Sequence, residues 1–408
     1  MANRPYPVIT VNEKAARSLR AGHPWVYGAE TSGPDRPCQN GDLVDVVSQK
    51  GRWLGTGLYN NHSKILVRLL SRNTNDRFDE GFWRRRLRYA LDYRKTVMGP
   101  DYACCRLIFG EAAQFPGFPV DRFGDILVTE VLSLGMEVRK DLLYPLLVDL
   151  LREDGVTVRA IYERSDAPLR DKEGLPKVTG FYPLPGLATD LDGHLLLEEN
   201  GIRYDVDYIH GQKTGFFLDQ KYNRRAAAAL APGRKVLDCF THTGAFALNC
   251  AQAGAAQVTA VDISQEAVAL TQRNAALNGL AGKVEARQAH VFDLLTQLAQ
   301  AGGHPYDYII LDPPAFTKSG ATVKNAFRGY KEINYKAMKL LPRGGYLATC
   351  SCSYFMTPAL FCQMLREAAA DAAVSLRQIA DRRQAPDHPI LWGVPETEYL
   401  KFYLFQVI

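Results

Sequence analysis

No apolar run in this chain approaches the roughly 18 residues of a membrane-spanning helix, and its opening, MANRPYPVIT, lacks the apolar core of a secretion signal. A soluble, cytoplasmic protein with no membrane partner is expected. Cysteine is sparse: the eight residues Cys38, Cys104, Cys105, Cys239, Cys250, Cys350, Cys352 and Cys362 fall in apolar segments without framework spacing. That distribution excludes a disulfide scaffold and implies reduced thiols. There is no C-x-x-C and no H-x-x-x-H, so a zinc site would have no second half, and no metal is expected. The G-x-G-x-x-G of a dinucleotide site is also missing, which argues against nicotinamide chemistry. Neither charge sign dominates: 49 Lys and Arg against 44 Asp and Glu give a net charge of +5, which permits a nucleic-acid partner without requiring one.

What is present is an ordinary globular composition, 47% hydrophobic over 408 residues, enough for two or three domains. Residues 1–70 carry short alternating runs (GDLVDVVS, GRWLGTGLYN, KILVRLL) broken by Gly, Asn and Ser, as in a small β-barrel. SRNTNDRFDEG (71–81) reads as a linker. Residues 82–191 open on an arginine-rich helix, FWRRRLRYALDYRKTV, and continue with strand-like GFPVDRFGDILVTEVLS and an apolar helix, a separate α+β unit. From 195 to 408 strands alternate with helices, which predicts an α/β domain with a parallel, doubly wound sheet.

Ligands of such sheets bind at the carboxyl ends of the strands. VLDCFTHTGAFAL (236–248) is an apolar strand ending in Asp238, then a loop with Gly244 before a helix. QVTAVDI (257–263) ends in Asp262 one strand–helix unit later, where a carboxylate accepts hydrogen bonds from ribose hydroxyls. Together the two acids suit an adenosyl ligand; each taken alone reads equally well as a helix-capping Asp. In YIILDPPAF (308–316) two prolines cannot continue the ladder, so the backbone turns and presents Asp312 and Phe316 to the crevice. LATCSCSYF follows on the next strand, where a period of two puts Cys350 and Cys352 on one face if the strand runs that far. Buried cysteine is also a common small hydrophobe, and Cys104-Cys105 read as core.

These segments carry a resemblance. HGQKTGFFLDQKYNRR (210–225), VLDCFTHTGAF, AVDIS, LDPPAF, TCSCS and the tail APDHPILWGVPETEYLKFYLF are similar to the PUA-containing, S-adenosylmethionine-dependent rRNA large subunit methyltransferase I family, which makes 5-methylcytosine in 23S rRNA. HPWVYGAE (23–30) resembles that family's RNA-binding PUA barrel and GFPVDRFGD (117–125) its central domain. The resemblance implies a class I (Rossmann-like) methyltransferase domain behind an N-terminal PUA β-barrel and a central α+β domain. S-adenosylmethionine is then the expected cofactor and large-subunit rRNA the expected partner; DNA is not expected, and no oligomeric state is assigned. It implies cofactor contacts at Lys213, Thr214, Phe216, Asp219, Asp238, Phe240, Thr243, Gly244, Asp262, Ile263 and Asp312. Where the family has an acid or Asn against adenine, this chain has His290, whose imidazole still offers one hydrogen bond.

Cys350 falls on the family's nucleophile. Carbon 5 of a free pyrimidine is a poor nucleophile, and a thiolate adding at carbon 6 makes it enamine-like. Asp312 is the expected acid at N3 of the base. LDPPAF carries no second thiol for product release, a role open to Cys352, a base or water. The 1–70 barrel and Arg84, Arg85, Arg86 and Arg88 are expected to hold phosphates. Two other readings stand beside this one: methylation of a base amino group, which needs no thiol, and a non-catalytic RNA-binding protein of ribosome assembly.

Overall fold

A computed structural model describes residues 4–408, which divide into two compact units. The first comprises the chain up to Leu195 together with Asp207–Phe216 and Pro386–Thr397; the second comprises Leu196–Val206, Phe217–Ala385 and Glu398–Ile408. Among the described residues no helix is long and apolar enough to cross a membrane.

The first unit opens on a six-stranded sheet in the order Trp25–Tyr27, Ile65–Ser71, Trp53–Tyr59, Leu43–Ser48, Val8–Val11, Thr31–Pro34. Alternate residues Ile9 and Val11, Val44 and Val46 are fully buried under the helix Glu13–Arg20, which contributes Ala15, Ala16 and Leu19 to the same core. Residues 71–81 are not a slack linker. Asp76 accepts from Ser71 Oγ at 2.5 Å and from Arg85 at 3.0 Å, and Asp79 caps the helix Glu80–Met98 by accepting from the Phe82 amide. That helix packs on Lys140–Glu153 and on a five-stranded sheet, Val178–Phe181, Ala160–Ser165, Ile126–Thr129, Val120–Phe123, Cys104–Ile108. Cys104 and Cys105 are core residues of its last strand. A buried ion pair, Arg68 to Glu173 at 2.6 Å, ties the two sheets into one body.

Two stretches expected in the third domain belong to this unit. The Asp387 carboxylate accepts from the Arg106 amide at 2.9 Å and its carbonyl from the buried Arg94 at 3.1 Å. Burial pushes Arg94 down to about 10, so satisfying its donors is what makes its position tolerable. Thr214, in the other stretch, donates to Asp121 at 2.6 Å. The four arginines of the helix are committed as well: Arg84 pairs with Glu153, Arg85 with Asp76, Arg88 with Glu153 and Asp154, and Arg86 donates to the Leu70 carbonyl.

The second unit is built on seven strands: β1 (Lys235–Cys239), β2 (Gln257–Asp262), β3 (Val284–Gln288), β4 (Tyr308–Leu311), β5 (Tyr346–Ser351), β6 (Leu376–Arg382) and β7 (Lys401–Val407). Their order is β3-β2-β1-β4-β5-β7-β6, parallel except for β7. Near-continuous apolar runs mark a sheet covered on both faces: Val236 and Leu237, Ile309 to Leu311, and Leu347 and Ala348 are wholly buried. Removing one such side chain to Ala is worth about 2–5 kcal/mol. The parallel strands bring five loops to one edge.

Candidate active site

The loop after β1 is shaped by two left-handed non-glycine residues, Phe240 (φ 65°) and His242 (φ 53°), before Gly244 (φ 80°) opens the helix Ala245–Gln252. Such conformations store about 1–3 kcal/mol each and persist only where surrounding bonds fix them. Here the Thr241 amide donates to the Val261 carbonyl at 2.9 Å, the His242 amide to Asp262 Oδ2 at 3.0 Å, and Asn274 to the Thr243 carbonyl at 3.0 Å. Gly244 is required: a Cβ there would lie 2.7 Å from Thr271 Cγ2.

Asp238 is wholly buried at the end of β1. Its Oδ2 accepts from Thr241 Oγ1 at 2.6 Å and the Ala247 amide at 3.0 Å, while Oδ1 has no hydrogen-bond partner. Burial, against the Thr241 bond and with the Asp312 charge nearby, pushes it up to about 7. Asp262, at the end of β2, takes the Ser264 amide on its other oxygen at 3.0 Å. Ile263 beside it is 64% exposed, a large apolar side chain standing in the open at the sheet edge. His290, ahead of the helix Val291–Ala301, holds Asp293 at 3.1 Å and lies parallel to Phe292 at 5.6 Å. An orphaned buried carboxylate oxygen, an acid at the next strand end and an exposed aliphatic face are acceptors and an apolar surface fitting a polar ligand that carries hydroxyls and a flat ring.

The two candidate catalytic residues lie at the ends of β4 and β5. Register pairs Leu311 with Thr349, so Asp312 and Cys350 end up side by side. Gln220 Nε2 donates to Asp312 Oδ1 at 3.1 Å, and the Cys350 thiol is buried beside the two. Burial and the Asp312 charge hold the thiol well above its ordinary range. Burial and the neighbouring Asp219 carboxylate push Asp312 up to about 6, opposed by the Arg224 charge, the adjacent Cys350 thiol and the bond from Gln220. Asp219 in turn accepts from the Tyr399 hydroxyl at 2.6 Å.

β5 stops at Ser351, so Cys352 lies beyond the strand and is half-buried rather than sharing the face of Cys350. Lys401, opposite Ser351 on β7, donates to the Ser353 carbonyl at 2.5 Å and the Tyr399 carbonyl at 2.7 Å. Burial pushes it down to about 8, partly offset by the Cys352 charge.

The second unit therefore gathers Asp219, Asp238, Phe240, Thr243, Gly244, Asp262, Ile263, His290, Asp312, Cys350 and Cys352 in its strand-end loops or beside them, whereas Lys213, Thr214 and Phe216 belong to the first unit. Gln220 and Lys401 were missed by sequence reasoning. Gln220 directly follows Asp219 in FFLDQ, and that adjacency to a candidate contact was the only available sign.

Residues 9–72 match the model of the PUA-like domain family, and residues 189–406 that of S-adenosylmethionine-dependent methyltransferases. The ribosomal RNA large subunit methyltransferase I of Shewanella denitrificans is 41% identical over 94% of this chain and 95% of its own length. Its counterpart in Klebsiella pneumoniae is 36% identical, with all of both chains covered. Among solved structures, an S-adenosylmethionine-dependent methyltransferase from Streptococcus mutans shares the fold, with a TM-score of 0.82 at 20% identity over 98% of this chain and 99% of that one. A methyltransferase solved in complex with SAH matches with the same TM-score, 0.82.

Proposed function

The chain belongs to the ribosomal RNA large subunit methyltransferase I family, and from that membership we propose that it methylates carbon 5 of a cytosine in large-subunit rRNA through a covalent bond to Cys350. It is an S-adenosylmethionine-dependent rRNA methyltransferase with a PUA-like domain. The observation that carries the finer reading is the buried pair of Cys350 and Asp312, brought side by side by the register of adjoining strands. Methylation of a base amino group has no use for a thiol in that position.

S-adenosylmethionine supplies an electrophilic methyl group. Asp262 is the residue proposed to accept from the ribose hydroxyls, and Ile263 and His290 those that line the adenine. The free Oδ1 of Asp238 is an acceptor held ready by the Thr241 and Ala247 bonds to its partner oxygen. Lys213, Thr214 and Phe216 are further proposed contacts on the strength of the QKTGFF motif.

Asp312 serves twice. As carboxylate it takes the Cys350 proton while the sulfur electron pair forms the bond to carbon 6 of the base. The same proton then passes to N3 as the ring electrons move there, so one proton is taken and one delivered. Gln220 holds Asp312 Oδ1 in place throughout. Carbon 5, now enamine-like, takes the methyl group and leaves S-adenosylhomocysteine; water takes the carbon-5 proton as the carbon–sulfur bond breaks, and Asp312 carries the N3 proton back to the departing sulfur, so Cys350 is regenerated and one proton is released. The test is tritium transfer to naked large-subunit rRNA followed by nucleoside analysis: 5-methylcytidine is expected, and an N-methylated nucleoside would overturn the assignment.

A further inference from the structure

The first unit contains a cavity of about 430 Å³, lined among others by Trp25, Ile65, Phe109, Glu130, Leu169 and Val394. Its size falls in the range of built ligand sites, which run roughly from 300 to 1,000 Å³ and combine apolar walls with a few polar groups. Nothing in the proposed methyl-transfer chemistry uses it.

The charges around it are almost all spoken for. Arg106 grips Asp121 through two nitrogens at 2.7 Å, and Arg68 is paired with Glu173 at 2.6 Å. Glu111 accepts from the Trp25 indole at 3.1 Å, and Glu396 meets His23 at 3.3 Å. Glu130 is different. It lines the cavity, burial raises its pKa against the nearby charges of Arg106, Lys213 and Arg164, and its carboxylate accepts no hydrogen bond from any described residue.

An occupant must therefore supply hydrogen-bond donors, and a phosphate is excluded because the guanidiniums are engaged and the open group is an acid. The aromatic and aliphatic walls call for a flat ring. Among the four RNA bases only guanine offers two adjacent donors, N1–H and N2–H, on one edge; adenine and cytosine set an acceptor beside their amino group, and uracil flanks its single N–H with two carbonyls. Unstacked bases are the usual object of sequence-specific RNA recognition, held on aromatic side chains and read on their Watson–Crick edge. We propose that this cavity receives one unstacked guanine of the RNA substrate, its ring against Trp25 and Phe109 and its donor edge on the Glu130 carboxylate. The inference rests on the reading of the chain as an RNA methyltransferase and gives the first unit a share in choosing the substrate.

Equilibrium dialysis of the full-length protein, with S-adenosylhomocysteine saturating the other site, tests it using guanosine, inosine and uridine 5′-monophosphates. Guanosine monophosphate should be retained, inosine monophosphate, which lacks the 2-amino donor, should bind roughly tenfold more weakly, and uridine monophosphate not at all. Glu130→Gln keeps the shape but presents an amide, and Leu169→Trp fills the cavity from its rim, where Leu169 is 43% exposed. Both variants should lose guanosine monophosphate while keeping wild-type affinity for S-adenosylmethionine and an unchanged thermal transition. With rRNA, Glu130→Gln should raise KM roughly tenfold at unchanged kcat. Equal binding of the three nucleotides, absence of guanosine monophosphate binding, or undiminished binding in either variant would overturn the inference. An inactive wild type would remove the functional reading instead and leave the dialysis to judge the cavity.

Discussion

Cys350 and Asp312 lie side by side at the ends of neighbouring parallel strands, both buried, with Gln220 donating to the carboxylate. The contact raises the thiol further and draws the carboxylate back from where burial alone would put it, about 6 being the result. At neutral pH the resting pair is thus a protonated sulfur beside an ionised oxygen.

That resting state sets a pH profile. Asp312 must be ionised to take the thiol proton, so single-turnover methyl transfer should rise about tenfold per pH unit below 6 and level off above it. Asp312→Asn should lose both the inflection and about 10²–10⁴ of the rate. A wild-type profile flat between pH 5 and 7 would count against the proton transfer described above.

The two thiols of LATCSCS should behave differently. Cys350→Ala is expected to abolish methyl transfer while S-adenosylmethionine binding persists, and RNA carrying 5-fluorocytosine should trap the wild type because fluorine blocks the final proton loss. Cys352→Ala should still form the trapped adduct. Denaturing gels with peptide mapping decide it: an adduct on Cys352, or full activity in Cys350→Ala, would revive amino-group methylation.

Asp262 holds the His242 amide on one oxygen and the Ser264 amide on the other, so its removal touches both the proposed ribose contact and the strained loop. Asp262→Ala should weaken S-adenosylmethionine binding by about 1.5–3 kcal/mol, a ten- to hundredfold loss. Unchanged calorimetric affinity in the folded variant would refute the role.

Asp238 makes a prediction about stability. Its pKa rises from an ordinary 3.8 to about 7 on folding, so the folded state binds its proton more tightly than the unfolded state does. The associated stability is fully present below pH 4 and lost as pH rises through 7. Asp238→Asn removes that dependence. The difference in Tm between variant and wild type should therefore shift in favour of the variant from pH 4 to pH 7 and stay constant above pH 8; a shift in the opposite sense would contradict the burial argument.

The acids at the strand ends were legible because each closes an apolar run immediately before a turn, a pattern contained in a few consecutive letters, as in VLDCF, AVDIS and ILDPP. Gln220 was not, since its partner Asp312 lies 92 residues away. The same holds for the tail: Asp387 meets the Arg106 amide across 281 residues, and no local signal in APDHPILWG announces that it leaves the catalytic sheet. The arginine-rich helix shows the opposite case. Its letters show the cations, whereas Glu153 and Asp154, which pair with two of them, stand on a helix more than sixty positions later.

The place of β7 has a consequence for timing. It is made after every other strand of its sheet, yet it lies inside that sheet, between β5 and β6, with Phe402 paired to Cys350 and Lys401 to Ser351. Until it emerges from the ribosome, the strand carrying Cys350 has an open edge and the turn that leads to Cys352 and Ser353 lacks the Lys401 ammonium that holds it. The edge of β5 beside Cys350 is thus completed by the strand that is synthesised last.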